Sequence, residues 1–319
     1  MIRASAPGKL MLAGEYSVTG AGGLALAVAV DRRLTVEVEP GGERWLVCSE
    51  ALRLTDAEPD MVPIVARALE RVPGLPSGGR VRILGDLGVG PAKLGLGSSA
   101  ALVAATLGAL SRVVRDGSPA LDEAMALHRA IQDGRGSGYD VATAVTGGVT
   151  LFDARGSQAR ARRVDWPRGL HAAVFHTGAG ASTVALLDRV ACWMAEDPED
   201  MQAYLSPLIE ETREFIEAWL AADVSRLLTA AAQVQEELDA FDRAGEIGIY
   251  AGGQMQLLAA IEDAGAIART SGAGGGDCVW ALSDRPGTLA RAEALARSLG
   301  FARVPLGFPS EGLMVEVAH

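Results

Sequence analysis

Lys93-Leu-Gly-Leu-Gly-Ser-Ser-Ala-Ala-Leu102 is the stretch from which the rest of the chain can be read. Gly95 and Gly97 permit a tight turn free of side chains, because only glycine takes positive φ cheaply and lets another group approach the backbone. Ser98 and Ser99 then open an apolar run from Ala100 to Leu110. Serine caps a helix, and the first N–H groups of that helix face the loop without intrahelical partners. With the helix dipole they form an anion site suited to phosphates. A serine hydroxyl there can also reach Mg²⁺, a hard cation that prefers oxygen. The plainer alternative is a glycine turn with a serine cap. A Walker loop is excluded, since Gly90 and Gly95 have its spacing but Leu96 stands where its lysine belongs. A dinucleotide fingerprint would want glycine where Ala100 stands.

At 319 residues, with 49% hydrophobic and 22% charged residues, the chain is long enough for two domains with substantial cores. A net charge of −11, with no basic stripe, argues against a nucleic-acid partner. It leaves room for a small anionic substrate held by a local cluster of donors. Among 29 basic residues only Lys9 and Lys93 are lysines, and both sit beside glycine-rich stretches. Lysine is a compact point charge that arginine's planar fork cannot replace everywhere. Cys48, Cys192 and Cys278 are far apart, which excludes a disulfide or zinc framework and fits a reducing compartment. No apolar run reaches the roughly 18 residues of a membrane span. The N-terminus lacks a signal-peptide core, so a cytoplasmic protein without a membrane partner is expected.

Along the chain, residues 2–13 read as a strand interrupted at Pro7-Gly8. Leu24–Val30 reads as a buried strand, and the alternation from Leu34 to Glu39 as a separate, half-exposed one. Helices are predicted near 61–72, 98–115, 121–131 and 288–299, with a long helical region over 183–264 broken near 197 and 245–253. Strands are predicted at 80–84, 148–152, 171–175, 279–282, 302–306 and 313–317. Asp140 follows the glycine cluster Gly134-Arg-Gly-Ser-Gly138 and could be a simple helix cap. Gly272, Gly274, Gly275 and Gly276 imply close backbone approach near 270–278. His128 on a helix, and His171 and His176 around a strand, read as structural. Strands and helices without a regular βαβ repeat predict an α+β protein of two domains.

Three stretches stand in order: Pro7-Gly-Lys-Leu-Met-Leu-Ala-Gly-Glu-Tyr16, Gly95-Leu-Gly-Ser-Ser-Ala-Ala101 and Ser271-Gly-Ala-Gly-Gly-Gly-Asp277. Together they resemble the three motifs of the GHMP kinases, the family of galactokinase, homoserine kinase, mevalonate kinase and phosphomevalonate kinase. That resemblance implies an N-terminal ATP-binding domain (1–160) like domain 2 of ribosomal protein S5. It also implies a ferredoxin-like C-terminal domain (161–319), with Mg²⁺–ATP phosphoryl transfer in the cleft between the two. Details are most similar to phosphomevalonate kinases: Ala-Gly-Glu-Tyr-Ser in the first motif, Lys93 just before the phosphate loop, and Gly136-Ser-Gly-Tyr-Asp140-Val.

The resemblance implies roles residue by residue. Lys93, Gly95, Leu96, Gly97, Ser98, Ser99, Ala100 and Ala101 hold the nucleotide, with Ser98 or Ser99 on Mg²⁺. Lys9 neutralises the transferring phosphoryl, and Asp140 orients the acceptor or takes its proton. Lys93, Tyr16, Ser17, Gly138, Ala273 and Gly274 contact the acceptor, a small molecule expected to be 5-phosphomevalonate. Glu15 fixes the first-motif loop, and Gly274–Gly276 pack against the phosphate loop. One departure is Arg129, which stands where mevalonate kinases place a magnesium-binding glutamate; Gln132 and Asp133 lie near it. Alternatives are mevalonate kinase, a mevalonate-3-kinase or decarboxylase, a sugar or sugar-phosphate kinase, and a non-catalytic ATP-binding sensor. A monomer or homodimer is expected.

Overall fold

The computed structural model describes residues 1–19, 23–85, 94–117, 119–132, 134, 136–178 and 183–317. Lys93 and Asp133 therefore lie outside the described residues. Strands β1 (Ile2–Ala13) and β2 (Leu24–Pro40) form a long antiparallel pair at the centre of the first sheet. Along β2, residues 24–28 pair with β6 (Val149–Asp153), and residues 35–40 pair with β5 (Gly79–Leu84). Beyond β5 come β3 (Trp45–Ser49), which pairs with it in parallel, and β4 (Leu54–Ala57). Beyond β6 lies β7 (Arg160–Val164).

The sheet is buried on both faces at its centre, which is why Leu24–Val30 is an unbroken apolar run rather than an alternating one. Alternate residues of β1 enter two different cores. Ala4, Ala6 and Met11 pack with α1 (Pro63–Arg71), α2 (Ser98–Val114), α3 (Leu121–Ile131) and α4 (Tyr139–Thr146). Leu10 and Leu12 pack against α6 (Pro198–Leu220) and α7 (Val224–Gly245), beside α5 (Thr183–Glu196). Helix α2 lies on the sheet, buried along most of its length. Its small residues Ala100, Ala101, Ala104, Ala105 and Gly108 allow the close approach.

The second sheet has the order β11 (Ala302–Val304), β8 (His171–His176), β10 (Cys278–Ser283), β9 (Ile267–Thr270), all antiparallel. One face packs on α8 (Gln254–Asp263) and α9 (Pro286–Ser298) through Ala173, Phe175, Val279 and Ala281. The other face, through Val174, Trp280 and Leu282, joins the core beneath the first sheet.

Two expectations are corrected. The break at Pro7-Gly8 is a register shift inside one continuous strand, not an interruption. The two strands expected at 24–30 and 34–39 are one, β2, whose polar middle is held by Arg33: its Nη2 donates to Ser5 O and to Gly312 O, each at 2.7 Å. Strand β7 and the final strand β12 (Met314–Val317) both belong to the first sheet. The returning chain crosses the end of α4 where Gly147 and Gly312 touch; a Cβ on Gly312 would lie 2.1 Å from Val145 O.

The second half is tied to the first motif by an ion pair with both side chains fully buried. Arg269 Nη2 of β9 donates to Glu15 Oε2 at 2.8 Å, and the same oxygen accepts the Gly14 N–H at 3.1 Å. The guanidinium also lies 5.5 Å from the Phe215 ring centre. Removing one partner of such a pair leaves an uncompensated buried charge. Glu15→Ala is therefore expected to lower the unfolding free energy by about 3–5 kcal/mol in urea titrations, and adding Arg269→Met should recover part of it.

Candidate active site

Strand β12 covers the outer edge of β1 only from Ile2 to Ser5. Beyond that point the free N–H and C=O groups of β1 are taken up by the other two motifs, since buried backbone groups must find partners. The Lys9 N–H donates to Leu96 O at 2.8 Å, docking the glycine loop on the strand. The Met11 N–H donates to Ser271 Oγ at 3.1 Å, and Met11 O accepts from Ser271 Oγ and from Trp280 Nε1 at 2.7 Å. Cys278 Sγ, in contact with Leu94 O at 3.2 Å, adds a bond between the third motif and the loop.

This docking lines a cleft of about 400 Å³. Gly97 has φ 72° and caps α2, whose first residues are Ser98 and Ser99. A Cβ on Gly97 would lie 2.9 Å from the Lys9 stem, and one on Gly95 would lie 2.5 Å from Asp277 Oδ2. Both glycines are thus required by close approach as well as by backbone conformation. Across the cleft, Gly138 (φ 92°) caps α4, placing Tyr139 and Asp140 at that helix start. Two helix N-termini and one ammonium therefore converge on a cleft that Glu15, Asp140 and Asp277 also line.

Lys9 Nζ lies 3.4 Å from Gly95 O and 5.3 Å from the Tyr139 ring centre. Burial alone would lower its pKa, but Tyr139, Asp140 and Asp277 outweigh that and hold the ammonium above its ordinary value. Burial likewise raises the Tyr139 phenol, against the opposing pull of Lys9. Asp140 is at the N-terminal end of α4, and its Oδ1 accepts the Val141 N–H at 2.8 Å. The Tyr16 hydroxyl donates to Ala273 O at 2.6 Å, joining the first and third motifs.

Of the residues read as functional, Lys9, Tyr16, Gly95, Leu96, Gly97, Ser98, Ser99, Asp140 and Ala273 line this cleft. Ser17 does not: it is buried and its hydroxyl bonds Thr212 at 3.3 Å, because the 3₁₀ turn Ser17–Thr19 directs it into the core. Ala100 and Ala101 are fully buried beneath the loop. Gly138 serves the turn; a Cβ there would lie 2.7 Å from Met125 Cε. Gly274 and Gly275 pack against Ile249 rather than the phosphate loop, which Asp277 meets instead. Sequence reasoning assigned no role to Tyr139 or Asp277, and it read His128 as a packing residue. Tyr139 and Asp277 adjoin glycine clusters, a usable signal. His128 had none, because its place depends on how α3 packs.

The described residues contain no group of three His, Cys, Asp or Glu that could hold a metal. The oxygen donors lining the cleft include the Ser98 and Ser99 hydroxyls at the α2 N-terminus and the Asp140 and Asp277 carboxylates. That set fits a hard cation that arrives with a nucleotide and keeps phosphate and water oxygens as its other ligands.

The family model described as GHMP kinases N terminal domain matches residues 61–148. The phosphomevalonate kinase of Streptomyces sp. (strain CL190) is 29% identical over 336 aligned residues, covering 88% of this chain and 89% of that protein. The mevalonate kinase of Thermococcus sibiricus is 30% identical, covering 99% of this chain and 98% of its own. The same fold is seen in Streptococcus pneumoniae phosphomevalonate kinase, solved with phosphomevalonate and AMPPNP. That structure has a TM-score of 0.80 and 22% identity, over 96% of this chain and 99% of that one. Sequence identity sustained across the full length of curated kinases, with the family model resting on the phosphate-loop half, means that this chain belongs to the GHMP kinase family and is one of its phosphotransferases.

Proposed function

We propose that the protein transfers the γ-phosphoryl group of Mg²⁺–ATP to 5-phosphomevalonate, giving mevalonate diphosphate and ADP. The observation that carries the transfer is the position of Lys9, an ammonium held between the N-termini of α2 and α4 beside Asp140. Phosphoryl transfer asks a protein mainly for positioning and for stabilising charge as it spreads over the transferring group. The α2 N-terminus and the loop Gly95–Ser99 bind the β- and γ-phosphates, and Lys9 faces the group in flight. When bound, Mg²⁺ neutralises phosphate charge, with Ser98 and Ser99 as its protein oxygens.

The acceptor assignment is supported by the likeness to the Streptomyces phosphomevalonate kinase and by Lys93 immediately before the loop. A phosphate oxygen of 5-phosphomevalonate, largely ionised near pH 7, attacks the γ-phosphorus, and the bond to the β–γ bridging oxygen breaks. Asp140 then orients Lys9 and the acceptor rather than removing a proton. The likeness to mevalonate kinases favours a second reading, in which a hydroxyl attacks and Asp140 accepts its proton.

Coupled ADP-release assays with mevalonate, 5-phosphomevalonate, homoserine and sugar phosphates decide between them. Turnover with 5-phosphomevalonate is expected; turnover confined to mevalonate would establish the hydroxyl acceptor instead, and turnover with none would overturn both. Gly97→Ala forces a side chain onto a backbone at φ 72° and against the Lys9 stem. It should lower kcat by about 10²-fold, as expected for a reacting group displaced by about 1 Å, and the left-handed backbone strain of about 1–2 kcal/mol should lower the melting temperature by a few degrees.

A further inference from the structure

The chemistry above uses Ser99 and Asp140 but not the buried histidine between them. His128 stands in the last turn of α3, a helix that packs against both α2 and α4, and it is 2% exposed. Its Nε2 lies 3.1 Å from Ser99 Oγ in the first turn of α2. Its Nδ1 lies 3.6 Å from Asp140 Oδ1 in the first turn of α4. Three side chains from three helices thus form one line beneath the cleft.

Partners on both sides of an imidazole select its tautomer as well as its orientation. In a neutral ring the Asp140 carboxylate, which only accepts, draws the hydrogen to Nδ1 across 3.6 Å, a contact longer than a hydrogen bond. Nε2 then keeps its lone pair and the Ser99 hydroxyl donates to it. A serine hydroxyl has one hydrogen and two lone pairs. With its hydrogen committed inward, the Ser99 oxygen meets the cleft as an acceptor, suited to a cation and unable to donate to a phosphate.

Resting on the nucleotide-kinase reading above, we propose that His128 is a positioning residue. It fixes Ser99 as the cation-facing oxygen and ties that orientation to Asp140. Ser98 and Ser99 are thereby distinguished, which the Ser-Ser pair by itself does not do.

Calorimetric titration with ADP, with and without Mg²⁺, reads this without turnover. Mg²⁺ should tighten ADP binding to the wild type. His128→Asn keeps a donor toward Asp140 but is too short to reach Ser99. It should lose about tenfold of the Mg²⁺ enhancement, the size of one hydrogen bond, with Mg²⁺-free ADP affinity unchanged. His128→Gln, which places an acceptor at the Nε2 position, should restore most of it. A merely structural role would weaken both affinities together, with no rescue by Gln. Independently of any variant's folding, ¹⁵N NMR of the wild type should show the His128 hydrogen on Nδ1. An undiminished Mg²⁺ enhancement in folded His128→Asn, or a ring with its hydrogen on Nε2, would overturn the proposal and leave the kinase reading standing. A wild type that binds no ADP would overturn both.

Discussion

The outer edge of β1 is the constraint on which the site depends. The final strand β12 pairs with it only over Ile2–Ser5, and the backbone groups of Lys9 and Met11 would otherwise be buried without partners. Leu96 O satisfies one; Ser271 Oγ and Trp280 Nε1 satisfy the others. One strand edge thereby brings together three segments spread over more than 250 positions of the chain. The same contact that seats the loop presses Gly97 against the Lys9 stem, so the loop and the ammonium are placed by one event.

The electrostatics follow from that placement. A chain of net charge −11 repels anions at long range, yet two helix N-termini and Lys9 face a single cleft. Asp140 and Asp277 keep Lys9 charged, and Asp140 also accepts a backbone N–H at the start of α4. On the far side of the first motif, Glu15 is occupied by Arg269 and the Gly14 N–H, which holds the loop carrying Tyr16 toward Ala273. The buried pair therefore does for the loop carrying Tyr16 what the Leu96 bond does for the glycine loop.

The helix α2 and its glycine loop were legible in the sequence from the glycines and the apolar run, although the cap is Gly97 and not a serine. Helix α3 was legible too, at 121–131, from its periodicity. What was not legible depended on distant partners. Leu24–Val30 and Leu34–Glu39 read as separate strands, yet β2 runs through both because Arg33 reaches carbonyls on β1 and on the returning C-terminus. Strand β9, Ile-Ala-Arg-Thr, gave no signal: it is four residues long and buries an arginine whose carboxylate lies 254 positions away. In the site, Lys9, Ser99 and Asp140 could be read from their motifs. Ser17 was misplaced because a 3₁₀ turn directs its side chain into the core, and His128 was passed over because its two partners sit on other helices.

The central claim is that Lys9 stabilises the phosphoryl group in flight rather than merely helping to bind the nucleotide. Single-turnover kinetics of Lys9→Met, a change that keeps the stem packed against Gly97, measure this directly alongside the ATP dissociation constant. The chemical step should slow by on the order of 10²–10³, as for loss of one preorganised donor to a developing charge, while ATP affinity changes far less. An unchanged rate in a folded variant, or a loss confined to ATP affinity, would contradict the account.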